Sequence, residues 1–320
     1  MYNYRMIKDM VIAIKQNLLM IDRDFDMIVG VPRSGMIPAY LIGLFLNKKV
    51  CSLDELLTGN IPTSGERYLS CSENINKVLI VDDSINSGNA NKIILERLKN
   101  TKFVYKTYVV YATYNSYYKV DYYCEIVENP RVFEWNYLNH RHSNRWCFDI
   151  DGVLCEDPKP EQNDDADKYR NFILNAKPMH IPNHKIYALV TSRLEKYRTE
   201  TEMWLKKNNV EYEHLFMLNL PSAEERRRLN AHASFKASIY NELKETTLFI
   251  ESETKQAKEI SRLTGKSCIS VEDNIMYENG SCCDEQKHML QARRSVKIPL
   301  SYRIKEFRYI VKKKFKNLFF

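Results

Sequence analysis

The chain has 320 residues, 48 Lys and Arg against 41 Asp and Glu, and a net charge of +7, a length that suits two domains of ordinary size. Its eight cysteines form no CxxC pair and keep no regular spacing, which excludes a disulfide framework and reads as reduced thiols of a cytosolic protein. Its longest apolar stretch, Met36 to Leu46, is too short to span a bilayer, which needs about 20 residues.

The first twenty residues scatter Arg5, Lys8, Asp9 and Lys15 through apolar positions, the pattern of an amphipathic helix and not of a signal peptide. Strand-length apolar runs then follow at Asp26–Val31, Lys49–Cys51, Lys77–Val81, Phe103–Ala112 and Tyr122–Ile126. A second series lies at Arg145–Ile150, Lys185–Thr191, His214–Met217, Thr247–Ile250 and Ser267–Val271. Helix-period segments fall between them at Met36–Leu46, Ala90–Leu98, Leu194–Lys207 and Glu253–Leu263. Alternation of this kind predicts parallel sheets, and two series predict an α/β chain of two doubly wound parallel-sheet domains, at 1–140 and 145–280. The polar stretch Asn136–Asn144 is the expected linker. A basic tail occupies 285–320; residues 291–320 alone hold ten Lys and Arg and one acid, so the remainder of the chain is at −2.

In the first domain, Val78-Leu79-Ile80-Val81 reads as a buried parallel strand running into Asp82 and Asp83. Ligands in such folds bind beyond the carboxyl ends of the strands. The small polar loop Ser84 to Ala90 leads into a helix, and backbone N–H groups at a helix start suit a phosphate. Paired carboxylates ahead of it suit sugar hydroxyls and a Mg²⁺ ion. The plain alternative is an ordinary strand-turn-helix unit with acidic capping residues.

This segment resembles the phosphoribosyl-pyrophosphate (PRPP) signature of type I phosphoribosyltransferases, and the likeness extends over about residues 1–135. Ile28-Val29-Gly30-Val31-Pro32-Arg33-Ser34-Gly35 is similar to that family's pyrophosphate loop. The resemblance implies Asp82 and Asp83 on the ribose hydroxyls, as catalytic residues. It puts Ser84, Ile85, Asn86, Ser87, Gly88, Asn89 and Ala90 on the 5-phosphate, and Arg33, Ser34 and Gly35 on the pyrophosphate. Ser52 to Asn76, with Ser64-Gly65-Glu66-Arg67-Tyr68, falls where the family has a flexible catalytic loop. Asn86 is a departure: purine enzymes of the family usually carry Asp there, and an amide is no general base. Trp135, in Pro130–Asn136, either stacks on an acceptor or packs at a domain interface.

In the second domain, Asp149 and Asp151 are two apart on a short strand and project to one side. One such carboxylate can attack phosphorus while the other protonates the leaving oxygen. Three further elements follow in order: a strand ending in Thr191-Ser192-Arg193, Lys236 before a helical segment, and a strand ending in Glu251-Ser252-Glu253. Together these resemble the four motifs of the haloacid dehalogenase superfamily over about residues 145–275. The likeness implies Asp149 as nucleophile and Asp151 as general acid/base. It also implies Thr191, Ser192 and Lys236 on the phosphate, and Mg²⁺ held by Asp149, Asp151 and either Glu251 or Glu253. The short inserts Glu156–Lys185 and Leu220–Ser234 leave room for only a minimal cap.

Ile304, Phe307, Val311, Phe315 and Leu318 make one face of a helix whose other face carries Lys305, Arg308, Lys312 and Lys316. Such a basic amphipathic helix reads as an interfacial membrane anchor, with a helix docked on the domains or a solvated basic tail as the alternatives. Nucleic-acid binding is disfavoured by the mildly acidic remainder.

The two likenesses in series imply transfer of ribose 5-phosphate from PRPP, then removal of the phosphate, with Mg²⁺ in both domains. The pairing resembles the ribofuranosyltransferases of bacterial surface-polysaccharide pathways. That likeness implies a lipid-linked glycan acceptor, a β-ribofuranoside product and a cytoplasmic enzyme peripheral at the inner face of the cell membrane. The alternatives are a nucleobase phosphoribosyltransferase fused to a nucleotidase, and a PRPP-sensing regulator with a vestigial phosphatase.

Overall fold

The computed structural model describes residues 2–62, 75–282 and 298–318, with the side chains at 300 and 313–318 outside that description. The chain divides into two compact units, a first of Arg5–Arg131 with Ser295–Phe320 and a second of Met1–Tyr4 with Val132–Arg294.

After a short opening strand, β1 (Asn3–Arg5), the first unit begins with α1 (Ile7–Asn17), which buries Met10, Ala13 and Ile14 and exposes Lys8 and Lys15. This is the expected amphipathic helix. Five strands follow: β2 (Met27–Gly30), β3 (Lys49–Ser52), β4 (Lys77–Ser84), β5 (Val104–Ala112) and β6 (Tyr122–Ile126). They pair in the order β3-β2-β4-β5-β6, every neighbour parallel. Val78, Leu79, Ile80 and Val81 are all buried, as a continuous apolar run requires when both faces of a parallel sheet are covered. The connecting helices are α2 (Met36–Leu46), α3 (Leu53–Thr58) and α4 (Asn89–Leu98).

The polar stretch after β3 is thus not structureless throughout. Ser52 caps α3: its hydroxyl accepts from Glu55 N at 3.2 Å while Glu55 Oε2 accepts from Ser52 N at 2.6 Å. That Ser-x-x-Glu pairing is a capping box. The remainder of the expected loop, including Ser64–Tyr68, lies outside the described residues.

β7 (Arg131–Phe133) marks the passage into the second unit. Its sheet contains β8 (Trp146–Phe148), β9 (Ile186–Leu194), β10 (Tyr212–Leu218), β11 (Leu248–Glu251), β12 (Cys268–Ser270), β13 (Met276–Glu278) and β14 (Ser281–Cys282). The order is β10-β9-β8-β11-β12-β13-β14. β10 through β12 pair in parallel, whereas β13 and β14 add antiparallel, so this sheet is mixed where only parallel strands were expected. Helices α5 (Asp167–Asn175), α6 (Arg198–Lys207), α7 (Ala223–Arg228), α8 (Ala231–Glu242) and α9 (Thr254–Thr264) connect them. Residues 136–144, expected as a linker, form 3₁₀ turns of this unit. Tyr137 and Ser143 are buried there, and their hydroxyls donate to Asn274 Oδ1 at 2.9 Å and the Lys185 carbonyl at 3.1 Å. Burying an aromatic ring outweighed the polarity of its neighbours.

The chain then returns to the first unit as α10 (Leu300–Leu318). The contacts identified come from Tyr302, Lys305, Glu306 and Tyr309, while Val311 of the expected apolar stripe is half-buried. Tyr302 stacks on Tyr114 at 5.0 Å and Tyr309 lies 5.4 Å from Tyr118. Tyr117 Oη donates to Glu306 Oε2 at 2.7 Å, and Lys305 Nζ to Asn115 Oδ1 at 2.9 Å. Ile304 and Phe307 remain 47% and 69% exposed; the side chains of Phe315 and Leu318 are outside the described residues. No helix among the described residues is long and apolar enough to cross a membrane. The cysteines at 51, 124, 147, 155, 268 and 282 are all free thiols.

Candidate phosphate-handling sites

In the first unit the sequence-predicted residues gather where β2 and β4 end. Val31 N donates to the Val81 carbonyl at 2.9 Å, extending the pairing into the turn before α2. Gly35 closes that turn. A Cβ there would lie 2.6 Å from Val31 O, 2.8 Å from Val81 O and 2.9 Å from Asp82 Cα. Only glycine lets Arg33-Ser34-Gly35 pass directly against the Asp82 backbone. The Pro32–Arg33 peptide is cis, and the Arg33 side chain is exposed.

Asp82 and Asp83 close β4 as neighbours. Asp83 N donates to Asp82 Oδ1 at 2.8 Å, and the Asp83 side chain is buried. Burial, then the adjacent Asp83, pushes Asp82 up to about 8, because neither desolvation nor a like charge favours ionisation. Gly88, at φ +83°, turns the following loop into α4. Side chains from two neighbouring loops hold it: Ser116 Oγ donates to the Ile85 carbonyl at 3.1 Å, Lys119 Nζ to the Ser87 carbonyl at 2.7 Å and Asn129 Nδ2 to Asn86 Oδ1 at 2.9 Å. The loop borders a cavity of about 230 Å³ whose lining includes Asp82, residues 84–91 and Arg131.

Two cations in this site escaped sequence reasoning. Lys119 packs on Gly88, its Cδ 2.9 Å from where a Cβ would stand, and burial holds its ammonium below the usual lysine range. Burial likewise lowers Arg131, against the pull of Asp83 and Glu128. Arg131 lies in the Pro130–Asn136 segment but had no role assigned to it there, and each arrives through a loop whose position only the fold determines. Trp135 belongs to the second unit, where its ring stacks on Phe133 at 4.8 Å.

In the second unit β8 delivers Asp149, which is buried. Its Oδ1 accepts from Ile150 N at 2.8 Å and its Oδ2 from Lys236 Nζ at 2.6 Å. Lys236, on α8, also donates to Glu251 Oε2 at 2.8 Å and Gln256 Oε1 at 3.0 Å. Glu251 Oε1 accepts from Ser252 N and Oγ, both at 3.0 Å. Burial pushes Asp149 up to about 8 against the pull of Lys236, with Glu251 and Asp151 adding to the rise. Asp151 is held by Arg193 through both oxygens, Nε to Oδ2 at 3.1 Å and Nη2 to Oδ1 at 2.7 Å. Thr191 Oγ1 accepts from Arg193 N at 3.2 Å. Asp149, Lys236 and Glu251 thus form one cluster, and Asp151 with Arg193 a second beside it.

Gln256, Asp157 and Arg226 were not singled out from the sequence. Asp157 lies against Gly152, its Oδ2 2.8 Å from where a Cβ would stand. Burial, then Asp151 and Glu253, pushes it up to about 6. Gly152 itself sits at φ +71°, the left-handed region that favours glycine.

The donor chemistry of both sites fits Mg²⁺, a hard cation that takes oxygen ligands. Among the described residues no three acidic, His or Cys side chains gather as a ready-formed metal cluster. In the second unit two buried carboxylates share one ammonium, and Asp157 is raised by further acids, so negative charge is in excess. Asp149, Asp151 and Glu251, three of the predicted ligands, each already face a cation, leaving Asp157 and Glu253 as the acids best suited to a metal. In the first unit the raised Asp82 beside Asp83 carries the same excess.

No protein-family model matches this chain, and no curated protein does. Among solved structures, a purine phosphoribosyltransferase from Pyrococcus horikoshii is 23% identical over 42% of this chain and 92% of that one, with a TM-score of 0.29. Helicobacter pylori xanthine-guanine-hypoxanthine phosphoribosyltransferase is 17% identical, covering 43% and 95%, with a TM-score of 0.32. A chain of a Pnkp1/Rnl/Hen1 complex is 13% identical over 84% of this chain and 87% of that one, with a TM-score of 0.28. The phosphoribosyltransferase neighbours fall on the N-terminal two-fifths of the chain. At such scores the likeness carries no weight for activity, which is argued from the residues themselves.

Proposed function

We propose that this protein is a two-step ribofuranosyltransferase: one site transfers ribose 5-phosphate from PRPP to an acceptor and releases pyrophosphate, and the other removes the 5-phosphate. The observation that carries the reading is the approach of Gly35 to Asp82. It brings the turn suited to pyrophosphate against the acid pair suited to ribose, beside a loop that can cradle a phosphate at the start of α4. In this reading Asp82 and Asp83 hold the ribose hydroxyls, residues 84–90 grip the 5-phosphate and Arg33–Gly35 the pyrophosphate.

At the second site Asp149 Oδ attacks phosphorus and the ester oxygen leaves with the ribosyl product. Water then attacks phosphorus, the bond to Asp149 Oδ breaks to release inorganic phosphate and restore the carboxylate, and Asp151 accepts the water's proton. Asp151, held in place by the Arg193 fork, is the group positioned to give the leaving oxygen its proton and to take one back from the water. Mg²⁺ at either site would offset phosphate charge.

The acceptor we assign is a lipid-linked glycan, and the product a β-ribofuranoside. Support comes from the small inserts around the second site and from α10, whose exposed Ile304 and Phe307 lie beside Lys305, Arg308 and Lys312, a composition suited to an anionic membrane face. The protein would then work in the cytoplasm, peripheral at the inner membrane surface.

The test is to offer PRPP and Mg²⁺ with either glycan acceptors or free nucleobases and to weigh the products. A glycan heavier by an unphosphorylated pentose is the expected result. A nucleotide or nucleoside would replace this acceptor class, and an untouched PRPP pool would end the transferase reading.

A further inference from the structure

The cation expected to hold the substrate's phosphate at the second site, Lys236, is already engaged, and so is the neighbouring Arg193. An ammonium has three N–H donors, and Lys236 directs bonds to three acceptors: Asp149, Glu251 and Gln256. Arg193 gives Nε and Nη2 to Asp151 and Nη1 to Thr201 Oγ1 at 3.4 Å. Phosphate recognition at this site therefore calls for other donors.

Two buried polar atoms here have no hydrogen-bond partner in the structure, Ser192 Oγ and Arg226 Nε. Their residues are only 8% and 7% exposed, and they touch each other: Arg226 Nη1 donates to the Ser192 carbonyl at 2.7 Å. Ser192 stands between Thr191 and Arg193, where β9 runs beside β8 and its Asp149–Asp151 extension. Arg226 comes from α7, on the short segment after β10. It neighbours Tyr169, whose surroundings include Asp151 and Arg193, and His232, whose surroundings include Lys236 and Glu253. The partners identified for its guanidinium, the Ser192 carbonyl and Tyr169, are both uncharged. Buried polar groups are almost always satisfied, and a buried unmade bond on a cation is costly. An orphaned guanidinium N–H beside an orphaned hydroxyl, at the edge of a buried acid centre, matches an anionic ligand.

We infer that Arg226 and Ser192 form the phosphate clamp of the second site, receiving the non-bridging oxygens of a phosphate monoester while Lys236 serves the Asp149–Glu251 pair. The inference rests on the phosphatase half of the function proposed above. The guanidinium fork offers Nε to one oxygen and the Ser192 hydroxyl a second donor, so the clamp selects a dianion by charge and by geometry. Lys236 is then a positioning residue that keeps Asp149 aligned, and Arg226 a binding residue.

The test uses the full-length protein with Mg²⁺ and two probes. Inorganic phosphate is titrated calorimetrically to measure binding, and p-nitrophenyl phosphate is turned over to measure hydrolysis. Arg226→Met should weaken phosphate about 10- to 100-fold, the usual span for losing a charge-assisted bond, and raise KM for the ester by a similar factor with a smaller change in kcat. Arg226→Lys should recover part of the affinity, since the charge returns without the fork. Ser192→Ala, a small change under the same cover, should weaken phosphate several-fold and guards against a misfolded Arg226 variant; thermal melts check each fold. Unchanged phosphate affinity in a folded Arg226→Met protein, or a wild-type protein that binds no phosphate, overturns the clamp. A wild-type protein that binds phosphate through these residues yet hydrolyses no ester would retain the clamp and remove the phosphatase reading.

Discussion

Gly35 and Asp82 meet backbone to backbone: a Cβ on residue 35 would stand 2.9 Å from Asp82 Cα and closer still to the carbonyls of Val31 and Val81. All three obstacles are main-chain atoms of paired strands, so no side chain can swing away. Gly35→Ala should therefore displace the turn from the end of β4, with a stability loss of about 1–3 kcal/mol, the usual cost of overpacking. PRPP binding should fall further than the fold does, because the turn and the acid pair lose register. A Gly35→Ala protein that binds PRPP as tightly as wild type would separate this turn from the site.

Lys236 neutralises two buried carboxylates at once. Lys236→Met leaves Asp149 and Glu251 facing each other without a cation, and breaking a buried pair in this way costs about 3–5 kcal/mol. Pairing it with Glu251→Gln should return part of that loss, since one like charge is then gone. Denaturant titration of the three variants measures this coupling; additive losses would mean that the two residues act separately.

The first site predicts a pH dependence. Asp82 is raised from 3.8 to about 8 by burial and by Asp83, so between those values the folded chain holds a proton that the unfolded chain has released. Stability then falls as pH rises. This contribution is intact below about pH 4, declines through neutrality and levels off above about pH 8. In Asp82→Asn that slope should vanish, so the variant should gain on wild type steadily from pH 5 to 8. Subtracting the two stability curves cancels the other titrating groups, Asp149 included. Parallel curves would place Asp82 in an ionised state at neutral pH.

On α10 the docked and the exposed sides can be tested apart. Phe307 is 69% exposed, so Phe307→Glu should leave the melting temperature unchanged while reducing sedimentation with anionic vesicles. Salt should weaken the wild-type binding too, because charge attraction is screened over about 8 Å at physiological ionic strength. Tyr302→Ala should do the opposite, lowering the melting temperature through lost stacking on Tyr114. Vesicle binding indifferent to Phe307→Glu would end the membrane reading.

How far the sequence could be read depended on what kind of signal each part carried. Val78–Val81 read as a two-sided buried strand because a short apolar run rich in β-branched residues and followed by a turn fits one. Asp82–Asp83 and Asp149-x-Asp151 stood out because each follows a short apolar run, although β8 stops at Phe148 and Asp149 and Asp151 lie beyond it, not on the strand that the spacing suggested. Arg226, Arg131 and Lys119 did not, since each reaches its site from a distant loop or helix and no spacing relates it to the motif it serves. The α10 stripe carried half of its signal. Periodicity found the helix, but aromatic stacking by Tyr302 and Tyr309 chose the docked side. The Met276–Cys282 hairpin escaped because its strands are two and three residues long, too short for a period to show.

Asp149→Asn separates the two proposed steps. The amide keeps its place beside Lys236 but cannot attack phosphorus, so the phosphoaspartyl step should stop. Transfer from PRPP calls on Asp82, Asp83 and the Ser84–Ala90 loop, none of which needs Asp149. The variant should accumulate acceptor bearing ribose 5-phosphate, heavier than the wild-type product by one phosphate group. If transfer is reversible, added pyrophosphate should drain this trapped species back to PRPP. The dephosphorylated product should resist, because it lacks the phosphate that the loop before α4 grips. Dephosphorylation would then be the step that makes transfer irreversible. Mass spectrometry of the variant's product decides: an acceptor already free of phosphate would mean that Asp149 is not the nucleophile, or that the two sites do not act in series.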